Sequence, residues 1–305
     1  MQKIKNLFLK FPFFLKTGVG IKRFCRNIKF LFTENLYQTA NKYDMEILKH
    51  EAAAELPNTR NPKVKSIEET FSMLISTDCS FCRFGDGEFE NIMQIPSPFS
   101  NARLDELSQR LIEVLSSQNP KICIGLPLRM YQGKSNIPEY ERVFWRRPFI
   151  RKFYRIIEKY CHFDKTYYAA EVTLPFCYTD TDFEWFFNQA RRIWQDKDIT
   201  IIAGQGIFKG FTYDIFDNAR SVEYITAPAK NAFGDYENIL KNATKIDKNR
   251  LIIIILGQTA TVLAYDLALA GRRALDFGHI AKAYDWYNKN KGVSSFSTVK
   301  FFAPD

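Results

Sequence analysis

Several things are missing from this chain, and each absence narrows its function. No uninterrupted apolar run of about 18 residues occurs, so no transmembrane helix is expected over the 305 residues. A secretory signal fits poorly, because lysines break the apolar stretch near the start and no small-residue cleavage site follows. The six cysteines are scattered, and Cys79-x-x-Cys82 has no second pair to complete a metal or disulfide framework. Buried reduced thiols and a cytoplasmic location follow as expectations. There is no internal repeat and no low-complexity tract. With 28 Phe and 15% aromatic residues, global disorder is excluded.

Acidic residues are nearly absent from residues 1–34, which hold eight basic residues, seven Phe and one acid, Glu34. That segment carries +7 of the chain's net +9, leaving +2 for the remainder. The basicity therefore belongs to the start of the chain and not to a folded nucleic-acid reader, and no nucleic-acid partner is expected. Basic residues interleaved with Phe, Leu and Ile suit the anionic inner face of a membrane, held peripherally. A basic helix packed on the domain or on a partner is the alternative.

Residues 1–65 read as this basic segment followed by a linker that ends in a Pro/Asn-rich stretch, Leu56 to Pro62. A compact domain over 66–305 is expected to begin at a capping box made by Ser66 and Glu69, with Ile67, Phe71 and Leu74 on one helical face. Strands and helices then alternate. Strands are expected at 80–84, 121–125, 167–170, 199–203, 222–226, 251–256 and 274–277, with helices near 103–117 and 139–160. A second capping box is expected at Thr181 and Glu184, ahead of Phe183, Phe186, Phe187, Ala190 and Trp194. The run Leu251 to Leu256 has no polar face, the pattern of a strand buried on both sides in a parallel sheet. The fold class expected is α/β, a mostly parallel sheet with helices on both faces.

The motif with most chemical content is Arg83-Phe84-Gly85-Asp86-Gly87-Glu88-Phe89. An apolar strand runs into glycine, and two carboxylates follow one residue apart. Asp86 and Glu88 could share a divalent cation, Mn²⁺ or Mg²⁺, and the cation could neutralise a diphosphate. Gly85 and Gly87 allow close approach to the backbone, and Arg83 is a candidate phosphate clamp. An ordinary Asp-Gly hairpin turn is the competing reading.

Other distinctive residues also follow strands, where ligands bind in open α/β sheets. Gly204-Gln205-Gly206 misses the dinucleotide fingerprint, since Gly210 comes one place late for its third glycine. Lys230 could meet a diphosphate or simply be solvated. Gly257-Gln258-Thr259-Ala260-Thr261 opens a helix and suits a phosphate, or Thr259 is merely its cap. His279 lies at a strand end and could bind metal, donate a proton or bond a carbonyl. His50 and His162 have no such setting. Asp285 is a further candidate catalytic carboxylate, or a surface helix cap.

Taken together, four ordered blocks resemble the bacterial GT-D-type glycosyltransferases. They are the Arg83–Phe89 motif, Ile225-Thr226-Ala227-Pro228-Ala229-Lys230-Asn231-Ala232-Phe233, Leu256 to Ala268, and Asp276-Phe277-Gly278-His279-Ile280 with Tyr284-Asp285-Trp286. The resemblance spans roughly 66–290. It implies a Rossmann-like domain that binds a uridine-diphosphate sugar, a D-x-E motif serving metal and diphosphate, and an acceptor that is a surface glycan, lipid-linked or protein-linked. The chain departs from the pattern at Ala203, at Ile207-Phe208, and at Ala281 and Ala283, where acids, a Ser-Arg pair and further acids are expected. Those departures point to altered sugar or acceptor recognition. A metal-dependent phosphotransferase or nucleotide hydrolase, and a non-catalytic glycan-assembly subunit, are the competing functions.

Overall fold

The computed structural model describes residues 61–94, 104–131, 151–178 and 180–291. The chain divides into two units, Met1–Pro57 and Asn58–Asp305, and every described residue belongs to the second. The basic segment 1–34 and the 139–150 part of the expected aromatic helix lie outside the described residues.

Among the described residues, eight parallel strands form one sheet. They are β1 (Lys63–Val64), β2 (Ser80–Arg83), β3 (Ile122–Leu126), β4 (Thr166–Ala169), β5 (Asp198–Gly204), β6 (Ser221–Ala227), β7 (Leu251–Ile255) and β8 (Ala274–Asp276), in the order β1-β4-β3-β2-β8-β7-β5-β6. The helices are α1 (Ile67–Ser76), α2 (Asp86–Ile92), α3 (Leu104–Leu115), α4 (Arg151–Tyr160), α5 (Phe183–Trp194), α6 (Tyr236–Ala243), α7 (Gln258–Leu269) and α8 (Ile280–Lys289).

The alternation along β7 shows why the sheet needs cover on both sides. Ile252 and Ile254 enter one core with Leu107 and Leu111 of α3, Phe153 of α4 and Leu263 of α7. Leu251, Ile253 and Ile255 enter the other with Phe71 of α1, Trp194 of α5 and Ile280 of α8. Successive residues of a strand point to opposite faces, so an all-apolar strand demands two helical layers. Handedness then decides which helix lies where. Steps toward the β6 edge run through α1 and α5, and steps the other way run through α2, α3, α4, α6 and α7. Right-handed crossovers put these two sets on opposite faces.

Two local readings change. The domain's sheet begins at β1, where Lys63 and Val64 pair with Thr166 and Tyr167, ahead of the expected start at Ser66. The cap of α5 is Asp182, which accepts from the Trp185 amide at 3.0 Å. Thr181 instead donates its hydroxyl to the carbonyls of Pro175 and Tyr178. The expected capping box at Ser66 and Glu69 is present, with both reciprocal bonds made. All five described cysteines are free thiols.

After β2 the chain turns onto one face through α2, whose Phe89 joins the first core. After β8 it turns onto the other face through α8. The chain thus leaves the neighbouring strands β2 and β8 toward opposite faces, and the edge between them is the crevice position at which ligands bind in an open α/β sheet.

Candidate active site

The strand ends set the floor of this crevice. Phe81 is level with Leu275, and Ile254 with Asp276. Arg83 therefore stands level with Phe277, beside the turn that carries Gly278 and His279.

Arg83 is the central residue. Its side chain is 9% exposed, and its Nε lies 3.9 Å from Asp276 Oδ1. That Nε is buried and makes no hydrogen bond. The guanidinium presses on the β8 turn so closely that a Cβ at position 278 would fall 3.0 Å from Nη2, and Gly278 has a φ of +41°. Any side chain there would meet both a steric and a backbone penalty. Asp276 is fully buried. It accepts from Thr261 Oγ1 at 3.0 Å and from the Gly278 amide at 3.2 Å. Burial raises its pKa, against the pull of Arg83, of the Thr261 hydroxyl and of backbone N–H groups.

The D-x-E turn is the first turn of a helix and not a hairpin. Gly85 is the N-cap of α2, Asp86 the first helical residue and Glu88 the third. Residues two apart on a helix do not share a side. Asp86 is exposed and Glu88 is buried. Glu88 Oε2 folds back to accept from the Gly85 amide at 2.6 Å. Burial is the chief cause that lifts the Glu88 pKa to about 7. Arg83 opposes it, Asp276 adds to it, the Gly85 N–H opposes it, and Asp86 adds to it. The two carboxylates expected to share a cation thus stand on different sides of α2, Asp86 outward and Glu88 inward. Among the described residues, no three His, Cys, Asp or Glu side chains converge to hold a metal by themselves.

The raised Glu88 pKa carries a sign. A carboxyl that binds protons more tightly when folded stabilises most below its unfolded pKa, and that contribution fades as pH rises through the folded value. Glu88→Gln keeps an oxygen for the Gly85 amide and removes the charge. In EDTA-treated protein, Glu88→Gln is expected to gain melting temperature over wild type as pH rises from 5 to 8. Thermal unfolding across that range checks it, and parallel curves for the two proteins refute it.

The remaining expected residues divide into groups. Gly257 has φ +54°, opens α7 and has no side-chain cap. It is exposed, with nothing within 4 Å of where a Cβ would stand. Thr259 and Thr261 are 2% and 0% exposed. Thr261 Oγ1 bonds the Arg83 carbonyl at 2.9 Å as well as Asp276. It is a tie between β2 and β8, not a group open to a ligand. His279 is accessible and precedes α8. Crowding by protein atoms, then the charges of Arg83 and Lys282, lower its pKa to about 4. Accessibility softens the first cause, and the two cations still favour the neutral ring.

Gly204 and Lys230 lie elsewhere. Gly204 ends β5 and abuts the β6 loop, where a Cβ on it would stand 3.4 Å from Ala229 Cα. Lys230 is exposed beyond β6. Four strand spacings separate β6 from β2, roughly 19 Å at about 4.8 Å each. Asp285 is 5% exposed and already engaged. It accepts from the amides of Thr212 and Tyr213 at 2.7 and 3.0 Å and pairs with Lys289 at 2.7 Å. Burial pushes its pKa up, but Lys289 and the two amides outweigh this and leave it lowered. It anchors the β5–β6 connection to α8.

One pair escaped the sequence reading. Glu171, fully buried after β4, accepts from the Leu128 and Arg129 amides at 3.1 Å each and from Arg129 Nε at 3.0 Å. Arg129 follows β3 and lies near enough to Arg83 for their charges to repel. The strand-end position of Arg129 was available as a signal. Nothing in the spacing marked Glu171.

Comparison with known proteins bears on the fold and the family. The model of the glycosyltransferase GT-D fold family matches residues 81–298. A probable glycosyl transferase, Gly, of Streptococcus gordonii is 32% identical over 234 residues, covering 76% of this chain and 34% of that protein. Glycosyltransferase GlyD of Streptococcus pneumoniae serotype 4 is 28% identical over 232 residues, covering 73% of this chain and 27% of that protein. The chain thus spans about a third or less of the length of these curated relatives. Among solved structures, a glycosyltransferase of the domain-of-unknown-function 1792 group from Streptococcus sanguinis superposes with a TM-score of 0.71 at 29% identity, covering 80% of this chain and 93% of that one. A further structure of that group, described as having a distinct glycosyltransferase fold, gives 0.69 at 28% identity, covering 83% and 88%. The family model covers well over half of the sequence, and the chain belongs to the GT-D glycosyltransferase family.

Proposed function

We propose that this domain transfers a sugar from a nucleoside-diphosphate donor, a uridine-diphosphate sugar, to a glycan acceptor. The observation that carries this reading is the buried Arg83 guanidinium at the crevice, with Nε lacking a hydrogen bond. Beside it are the uncapped start of α7 at Gly257 and the exposed carboxylate of Asp86. A guanidinium and free helix N–H groups suit a diphosphate.

The residues fit a divalent cation, Mn²⁺ or Mg²⁺, through Asp86. Such an ion commonly takes one or two carboxylates and completes its shell with water and substrate phosphate oxygens. When bound, it would neutralise charge building on the departing diphosphate. Glu88 caps the helix that presents Asp86. Arg83 and the Gly257 N–H groups hold the diphosphate. Gly204 and Lys230 meet the nucleoside side of the donor further along the edge. His279, kept neutral, offers a hydrogen bond to the reacting sugar or to the acceptor hydroxyl. Asp285 positions the loop between β5 and β6. Among the described residues no helix is long and apolar enough to cross a membrane. Residues 1–34 would hold the enzyme on the anionic inner membrane face.

Thermal shift against a panel of nucleotide sugars, with and without Mn²⁺, tests this reading. A uridine-diphosphate sugar at a hundred times its Kd should add about 2.7 kcal/mol, with the larger shift in Mn²⁺. Stabilisation only by nucleoside triphosphates, with their hydrolysis, would replace transfer by a phosphohydrolase activity. No response to any nucleotide would leave a non-catalytic subunit.

A further inference from the structure

A second concavity lies on the other half of the same sheet edge. It has a volume of about 540 Å³ and is lined by Glu68 of α1, Leu128 after β3, Tyr178, Asp180 and Asp182 after β4, and Trp185 of α5. Sites for small molecules run from roughly 300 to 1,000 Å³, so the space suits one or two sugar rings.

Its charge differs from that of the crevice beside β2. There Arg83, with Arg129 and Lys282 near by, stands against the carboxylates of Asp276, Glu88 and Asp86. Among the described residues, the second cleft is lined by three carboxylates, Glu68, Asp180 and Asp182, and by no Lys or Arg. A diphosphate would be repelled there. A neutral polyol would not, because carboxylate oxygens accept from hydroxyls in strong charge-assisted bonds. An indole supplies the complementary apolar face for the C–H side of a pyranose. Trp185 is half-buried and rests edge-on against Phe71, ring centres 6.0 Å apart at 79°. That contact fixes its plane. Asp182 is held by its bond to the Trp185 amide, and the turn before it by the Thr181 hydroxyl. Trp185 and Asp182 are therefore held in place by the protein's own contacts.

One buried residue links the two positions. Leu128 lines the second, and its amide is held by Glu171 Oε2. The next residue, Arg129, is held by Glu171 Oε1 and acts on Arg83 at the first. One buried carboxylate thus fixes the ridge between them.

From this juxtaposition we infer that the Glu68–Asp182–Trp185 cleft binds the acceptor as an uncharged carbohydrate. The inference rests on the glycosyltransferase reading above and adds the place and charge class of its second substrate.

The test uses the full chain, uridine-diphosphate sugars as donors and p-nitrophenyl glycosides of glucose, galactose and N-acetylglucosamine as acceptor probes. Trp185→Ala is expected to raise the acceptor KM about tenfold, the cost of losing one aromatic contact face. Glu68→Gln, on an exposed residue of the first turn of α1, should raise it several-fold without threatening the fold. Donor KM and acceptor-independent donor hydrolysis should stay at wild-type values in both. Ligand-observed NMR of the same glycosides, with no donor present, should show the same weakening of binding in Trp185→Ala. Unchanged acceptor KM in both variants overturns the inference, as does a wild-type chain that binds none of the glycosides. A wild-type chain that binds glycosides through Trp185 but no nucleotide sugar keeps this site and sinks the transfer reading instead.

Discussion

Asp86→Asn is expected to lower sugar transfer by about a hundredfold or more, the scale seen when a single group stabilising developing charge is removed. Asp86 is exposed at the first position of α2, and among the described residues its side chain makes no hydrogen bond that holds the helix. Its amide replacement is the same size, so the melting temperature should match wild type. The loss should appear in kcat/KM at saturating Mn²⁺, and the metal concentration for half-maximal rate should rise. Glu88→Gln should behave differently, because Glu88 faces inward to the Gly85 amide. It should retain a larger share of activity and show its effect mainly in the pH dependence of stability. Steady-state transfer assays over a Mn²⁺ series separate the two. Equal losses in both variants would restore the reading of a jointly held cation, and a fully active Asp86→Asn would remove Asp86 from the reaction.

That division of labour shows where sequence reading stops. The central strand β7 was legible because its apolar run has no polar face. Leu251 to Ile255 needs cover on two sides, and the structure supplies it with α3, α4 and α7 on one face and α1, α5 and α8 on the other. The edge that carries the chemistry followed from the strand ends. The roles within it did not follow. Asp86 and Glu88 read as a pair in sequence, yet they separate because a helix starts at Gly85 and turns neighbours two apart away from each other. Thr261 and Thr259 read as phosphate ligands because they open α7, but α7 is buried almost all round. Asp285 read as catalytic from its place near His279, while its carboxylate is used by the Thr212 and Tyr213 amides. Long-range pairs such as Arg83 with Asp276, or Arg129 with Glu171, depend on which strands become neighbours. Strand order is not written in local periodicity.

Arg83→Met is expected to cost the fold about 3–5 kcal/mol near neutral pH, the usual penalty for leaving a buried charge without its partner. The substitution keeps an unbranched, apolar stem and removes the cation that faces Asp276 and Glu88. Asp276 is fully buried, and its other partners are a hydroxyl and backbone N–H groups. They do not offset a full negative charge. Burial already raises both carboxyl pKa values, with Arg83 holding them down. Without Arg83 they rise further, and the variant should take up protons on folding over a wider range. Stability that depends on a raised carboxyl pKa is present at low pH and lost as pH rises. The deficit of Arg83→Met should therefore be smaller at pH 5 than at pH 8. Adding Asp276→Asn should recover part of it, with a coupling of about 1–3 kcal/mol for groups in direct contact. Urea unfolding at the two pH values, on the single variants and the double, measures every leg of this cycle. A deficit that is independent of pH, or additive between the two positions, would mean that Arg83 acts by packing against Gly278 and not by neutralising the carboxylates beneath the crevice.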